Sequence, residues 1–287
     1  TNTTTGSTLL TGATTSIHTP ATTPPGTVYY YCVVTTDASG CETTSSLSEV
    51  IVNEGPSISQ QPLATQTVCL DGTTTPLEVD YINGVGTPTY QWYSSGLTCD
   101  TSDLSNPILG ETTNTFTPPS TPVSSINYFA VLTFADGGCD PIKSACALVT
   151  VVPDPTVTIE SAAPTPICID GTISDIEVST TGGTGSVSYD WYISDVAGTL
   201  ISIHPNSTDS ATFNPGVFTT AGEFYFVAVA NFDGSGCDQA PSLVVTVEVV
   251  NDPVLTAPLS TQTICESSTP TDLEVIATGG TGTYSYQ

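Results

Sequence analysis

The stretch Asn127–Val152, NYFAVLTFADGGCDPIKSACALVTVV, decides the fold because the chain writes it three times. Tyr29–Val52 reads YYYCVVTTDASGCETTSSLSEVIV, and Phe224–Val250 reads FYFVAVANFDGSGCDQAPSLVVTVEVV. The Gly-Cys cysteines of the three copies, Cys41, Cys139 and Cys237, stand 98 and 98 residues apart. In each copy two apolar, β-branched or aromatic runs flank a turn rich in Asp, Gly and Ser. That is the pattern of two strands joined in a hairpin.

Two further markers share the period. TVCLDGTTTPLEV, PICIDGTISDIEV and TICESSTPTDLEV carry Cys69, Cys168 and Cys265, at intervals of 99 and 97. TPTYQWY and SVSYDWY place Trp92 and Trp191 99 residues apart, and GTYSYQ closes the chain in the same register. A repeat found by independent markers is a structural unit. Its connectors carry proline: NEGPSISQQP, VPDPTVTIESAAPTP and NDPVLTAP. Proline stiffens such joints and removes backbone donors. The expected organisation is residues 1–53, the C-terminal half of a repeat; 54–152 and 153–250, two complete repeats; and 251–287, the start of another. This register reads as a window from a long tandem array. The alternative is a subunit whose tail half-domain is completed by the head half of the next molecule.

Within a repeat LEVDYI and TYQWY alternate with period two, and no segment shows a helical period. Several short strands with frequent turns predict an all-β, two-sheet immunoglobulin-like sandwich of about 98 residues, repeated in tandem as a rod. Tyr-Tyr-Cys at Tyr30–Cys32 looks like strand F of an antibody domain, with a strand C tryptophan to match. The repeat counts against that likeness. Ala130 and Ala228 occupy the slot of Cys32, so this cysteine is a local variant. Trp92 and Trp191 are expected as core anchors, with a sugar-stacking platform as the alternative. GGTG at Gly182–Gly185 and Gly279–Gly282 lacks the lysine and helix of a phosphate loop and reads as a turn.

Composition excludes several functions. The 287 residues hold 28 acidic side chains against one cation, Lys143, for a formal net charge of −27. One lysine cannot displace the counterions of a nucleic acid or bind an anionic membrane surface. The charge itself keeps neighbouring molecules apart in solution. No apolar run is long enough to span a membrane, and no charged-then-apolar leader opens the chain. The two histidines, His18 and His204, lie far from any cysteine pair, no CxxC occurs, and no zinc site is expected. No Ser-His-Asp constellation or carboxylate pair is singled out, so no catalytic residue is assigned and the chain is read as non-enzymatic.

Nine cysteines without metal-ligand spacing imply disulfides and an oxidising compartment. Parity suggests the pairs. The third repeat holds only Cys168 and Cys237, so these are expected to pair, and Cys69–Cys139 follows by homology. Cys99 and Cys146 remain in the second repeat as a further pair. Cys41 and Cys265 then need partners beyond residues 1–287. One geometric conflict stands: in immunoglobulin order, a cysteine just before strand B and one in the F–G turn lie at opposite ends of the sandwich. A disulfide requires Cα atoms within about 7 Å. Either the path departs from that order or the F–G segment folds back.

Asp136 and Asp140, Asp233 and Asp238 flank the Gly-Cys cysteines, and Asp71 and Asp170 follow Cys69 and Cys168. Clustered carboxylates suit Ca2+, but Asp and Gly are also ordinary turn residues. Asn2 and Asn206 match the N-glycan acceptor pattern, and Ser210, in Asp-Ser-Ala, matches a bacterial O-glycan acceptor.

The frame VCxDG…LEV…YxWY…NYFAVLTFADGGC…VTVV resembles the Ig-like and PKD-like repeats of giant Bacteroidota cell-surface adhesins, such as gliding-motility adhesins of the SprB type. The resemblance runs the length of the chain through short motifs. It implies export by the type IX secretion system and a multi-repeat extracellular filament or stalk carrying adhesive tips. Its expected partners are neighbouring repeats and surface polysaccharide or other cell-surface proteins. A carbohydrate-binding module array of a secreted protein is the alternative from a different class.

Overall fold

The computed structural model describes residues 6–135, 137–233, 236–257 and 261–287, which are strands, turns and loops, with no helix among them. They fall into two compact units. One comprises Thr1–Thr65, Thr75–Pro118 and Ile126–Val149; the other comprises Gln66–Thr74, Pro119–Ser125 and Thr150–Gln287. The division does not follow the sequence repeat: Gln66–Thr74, Pro119–Ser125 and Thr150–Val152 of the second repeat belong with the third.

The third repeat lies wholly in the second unit and shows the fold most completely. Thr156–Ile159, Ile176–Thr181 and Thr212–Phe213 form one antiparallel sheet with the middle segment at its centre. The other sheet runs in the order Ile167–Cys168, Val245–Val250, Gly222–Phe232, Val187–Ser194, Leu200–Ile203. All of its pairings are antiparallel except the first, in which Ile167 and Cys168 run parallel to Val249 and Val250. This is immunoglobulin strand order, with the first strand switching from one sheet to the other.

The local cause is alternation. Val245, Val247 and Val249 are buried while Thr246 and Glu248 point to water, and Ile176 and Val178 do the same on the facing sheet. Period-two burial turns one face of each sheet inward. The core between them gathers Ile176, Val178, Trp191, Phe213, Phe226 and Val247. Fully burying side chains of this size contributes roughly 1.5–3 kcal/mol each.

The first unit repeats the scheme. Thr89–Ser95 pairs with Asn127–Thr133 from Thr89↔Thr133 to Ser95↔Asn127, and Ile142–Lys143 flanks the same strand. Leu77–Glu78 pairs with Phe116 and Thr115, and Ser57–Gln60 with Asp80–Ile82. Leu77, Val79, Trp92, Phe116, Ala130, Leu132 and Val149 fill its core. The half-repeat before it is a hairpin pair, Gly26–Tyr30 with Ser48–Val52 and Val33–Thr35 with Glu42–Thr44.

The two ends of a repeat are marked by different turns. Gly183 donates its N–H to the Pro153 carbonyl at 2.9 Å, and Ser186 donates to the Asp233 carboxylate at 2.7 Å. The turn that leads to Cys237 therefore lies where its repeat begins. Gly182–Gly185 is a tight turn as expected. A Cβ on Gly182 would stand 2.6 Å from the Asp154 carbonyl, and one on Gly183 2.8 Å from the Phe232 ring. The turn after Cys168 lies where the repeat ends, because Ile169 donates to the Val250 carbonyl at 3.1 Å. No helix among the described residues is long and apolar enough to cross a membrane.

Candidate functional site

The tryptophans are core residues. Trp92 and Trp191 are fully buried. The Trp92 indole N–H donates to the Thr113 carbonyl and that of Trp191 to the Ser210 carbonyl, each at 2.9 Å. Trp191 stacks on Phe213 with ring centroids 4.7 Å apart. A buried indole needs such an acceptor, and no face is left for a sugar. The loop that supplies it absorbs the glycosylation motifs of the third repeat. Ser207 accepts from the Trp191 backbone N–H, and Asp209, at φ 51°, accepts from Tyr189. Asn206 donates its amide to the carbonyls of Asn214 and Pro215, and Ser210 accepts from Thr212. Asn2 lies outside the described residues.

His204 leans edge-on against Phe213 and Phe226, with centroids 5.0 and 5.6 Å away, and its Nδ1 accepts from the Asn206 N–H. Burial holds its pKa below the ordinary value of 6.5. The folded state therefore resists protonation that the unfolded chain accepts. The associated stability is complete above pH 6.5 and declines as pH falls through that value toward the lower folded pKa. The urea midpoint reported by Trp191 should drop over that interval, and His204→Gln should remove this component. An unchanged profile in His204→Gln would show that other groups carry it.

A serine that the sequence reading passed over recurs with the period. Ala130 donates its N–H to Ser144 Oγ at 2.9 Å, and that hydroxyl donates to the Ala145 carbonyl at 2.8 Å. Ala228, Ser242 and Leu243 repeat the arrangement, as do Cys32, Ser45 and Ser46. Ser144 and Ser242 are buried. The last strand breaks its ladder at this residue, and the hydroxyl replaces the missing carbonyl. The signal was in the sequence, since Ser45, Ser144 and Ser242 are 99 and 98 apart. Ser144→Ala should cost about 1–3 kcal/mol by stranding a buried N–H. Urea unfolding measures this; a change within error would mean that water replaces the hydroxyl.

One of the three expected disulfides forms and two do not. The structure joins Cys99 to Cys146, with Cα atoms 6.1 Å apart. It does not join Cys168 to Cys237, nor Cys69 to Cys139. Instead Cys69 pairs with Cys237, Cα to Cα 4.9 Å across a sequence separation of 168. Cys139 and Cys168 are free and half-exposed; Cys32, Cys41 and Cys265 are free and exposed. The cause is the geometric conflict noted above. Cys168 sits beside Val250 at the end of its repeat, whereas Cys237 follows a turn at the beginning. Parity within a repeat cannot override that separation. Cys69 belongs to the turn that ends the second repeat, since Leu70 donates to the Val152 carbonyl at 2.9 Å. The cysteine it meets opens the third repeat.

The acidic turns serve geometry. Asp71 and Asp170 adopt φ of 59° and 60°, and the next residue, Gly72 or Gly171, donates back to the cysteine carbonyl at 3.0 Å. Asp tolerates this left-handed conformation better than most residues. A Cβ on Gly72 would stand 2.9 Å from the Cys69 carbonyl and 3.2 Å from that of Gly236. Asp233 accepts from Ser186, Asp140 and Asp238 are exposed, and Asp136 lies outside the described residues. Among the described residues no group of three or more His, Cys, Asp or Glu side chains is arranged to hold a metal ion.

The strand order and these cores define the class: an all-β protein of tandem immunoglobulin-like sandwiches with disulfides. Residues 59–153 match the family model described as Domain of unknown function (DUF8696). No curated protein matches the chain. Among solved structures it is similar to the four N-terminal Ig domains of Dscam1 isoform 8.4, at 13% identity and a TM-score of 0.32 over 77% of this chain and 55% of that one. It is also similar to Rst D1-D2, at 17% identity and a TM-score of 0.41 over 68% of this chain and 100% of that one. A third likeness is to fibronectin(III)-like modules of Clostridium thermocellum CbhA, at 17% identity and a TM-score of 0.25 over 68% of this chain and 92% of that one. The chain thus spans about half the length of the Dscam1 structure.

Proposed function

We propose that this chain is a non-enzymatic structural and adhesive segment of a long extracellular filament or stalk on a bacterial surface. The observation that carries this reading is the Cys69–Cys237 bridge, which ties one repeat covalently to the next. A binding module needs a binding face; a stalk needs joints that hold under load. Two disulfides suit an oxidising compartment. The aromatic side chains support the same reading. Among the described residues between 54 and 250, none of the large hydrophobics that stand fully exposed is a Trp, Tyr or Phe. The net charge of −27 keeps parallel filaments apart.

By its resemblance to SprB-type repeats, the filament would be a Bacteroidota surface adhesin exported by type IX secretion. Neighbouring repeats are then its constant partners, and polysaccharide or other surface proteins are partners of its tips. Electron microscopy of the polypeptide released from its cells should show beaded filaments many repeats long. Compact particles would count against the stalk. Binding of the 287-residue chain on a glycan array would favour the carbohydrate-binding alternative instead.

A further inference from the structure

Four recurring cysteines, Cys41, Cys139, Cys168 and Cys265, are free, although each occupies a position that is bridged elsewhere in the chain. One rule accounts for all of them. In Cys69–Cys237 the cysteine of the turn that ends one repeat bonds to the Gly-Cys cysteine of the turn that opens the next. We propose that this bridge is one rung of a ladder. Cys168 bonds to the Gly-Cys cysteine of a following repeat, and Cys139 receives the turn cysteine of a preceding one.

The local geometry at Cys168 is that of the bridged Cys69. Gly72 and Gly171 donate to the carbonyls of Cys69 and Cys168, each at 3.0 Å. Asp71 and Asp170 share the left-handed conformation, and Leu70 and Ile169 each donate to the last residue of their own repeat. At Gly72 an added Cβ would meet the Gly236 carbonyl of the bridged turn; at Gly171 the three nearest atoms it would meet belong to Cys168 and Ile167. The glycine turns near the start of the second and third repeats correspond as well. Gly84 packs against Phe134 and donates to the Glu54 carbonyl, as Gly183 packs against Phe232 and donates to Pro153. Cys41 and Cys265 hold the same two positions in the flanking half-repeats.

The chemistry is an exchange with a protein dithiol–disulfide oxidant. The Cys168 thiolate attacks one sulfur of that disulfide and releases the other as a thiol. The incoming Gly-Cys thiolate then displaces the oxidant. The new S–S bond forms as the oxidant's S–S bond breaks, and the two thiol protons end on the oxidant's two sulfurs. Successive rungs overlap, because Cys168 lies inside the segment closed by Cys69 and Cys237. Each rung then limits how far the repeats it encloses can extend under tension.

The test is a disulfide map of the polypeptide taken from its own cells, with free thiols alkylated before lysis. One lysine makes trypsin useless, so digestion relies on an Asp- and Glu-directed protease under non-reducing conditions. The Cys168 peptide should be linked to a Gly-Cys peptide other than that of Cys237, and the Cys139 peptide to a turn cysteine other than Cys69. Alkylation at both sites should fall from complete, as in the isolated 287-residue chain, to undetectable. Electrophoresis assigns the source: a mobility that reduction leaves at the single-chain mass places the partner in the same polypeptide, and covalent multimers that collapse on reduction place it in a second copy. Recovery of Cys168–Cys237 or Cys69–Cys139 peptides, or full alkylation of Cys139 and Cys168, overturns the ladder.

Discussion

Pulled by its two ends in a force spectrometer, the oxidised chain should extend about 55–60 nm less than the reduced one. The segment from Cys69 to Cys237 spans a sequence separation of 168, and each residue adds at most about 3.3–3.6 Å when extended. The bridge passes tension directly from Cys69 to Cys237, whose Cα atoms are 4.9 Å apart. Both tryptophans lie within the shielded segment, whereas Val245, Val247 and Val249 of the Trp191 core follow Cys237 and stay under tension. Cys99–Cys146 is nested inside it, and its removal alone should leave the oxidised extension unchanged. Cys237→Ser should extend about 40–44 nm further than the oxidised parent, short of the reduced chain by the about 16–17 nm that Cys99–Cys146 still closes, with Cys69 and Cys139 both open to alkylation. If Cys237→Ser extends no further than the oxidised parent, the bridge does not carry the load. Appearance of Cys69–Cys139 in that variant would show that the two ends of the second repeat can meet.

The second large effect is thermodynamic. Trp191→Ala should destabilise its repeat by about 3–5 kcal/mol, the usual cost of truncating a fully buried large aromatic. It also removes the stacking on Phe213 and leaves the Ser210 carbonyl without its indole donor. Because Trp92 and Trp191 are the two tryptophans of the chain, each variant keeps one fluorescent reporter. In Trp191→Ala, urea unfolding followed at Trp92 measures whether the loss spreads beyond its own repeat. Trp191→Phe should be milder, because it keeps the ring contact and loses the indole hydrogen bond. A loss below about 1 kcal/mol in Trp191→Ala would mean that Phe213, Phe226 and Val247 collapse into the space, contrary to the packing described.

Most of the fold was legible because alternation and turn chemistry are local. VTVEVV reads as a strand with one buried face, and Val245, Val247 and Val249 are buried. YDWY and YQWY, recurring in one register, mark a position whose side chain the core requires, and both tryptophans are fully buried there. The Asp-Gly pairs after Cys69 and Cys168 read as turns and adopt the left-handed conformation such turns need. The buried serines were equally periodic but carried no visible chemistry. A hydroxyl in a Thr- and Ser-rich chain stands out only when the N–H it satisfies, that of Ala130 or Ala228, is seen to lack another partner.

The sequence by itself determined the period, the all-β class, the strand pattern and the two core tryptophans, because each follows from residues close along the chain. Parity also gave Cys99–Cys146, but tertiary structure alone decided the partners of Cys69 and Cys237. Counting cysteines within one repeat pairs Cys168 with Cys237, but pairing is set by distance in space. The parallel seat of Cys168 beside Val250 carries it to the end of its repeat, while Gly183 and Ser186 hold the Cys237 turn at the beginning. The cysteine within reach of Cys237 is therefore Cys69, which closes the preceding repeat, and no periodicity within a single repeat reveals that.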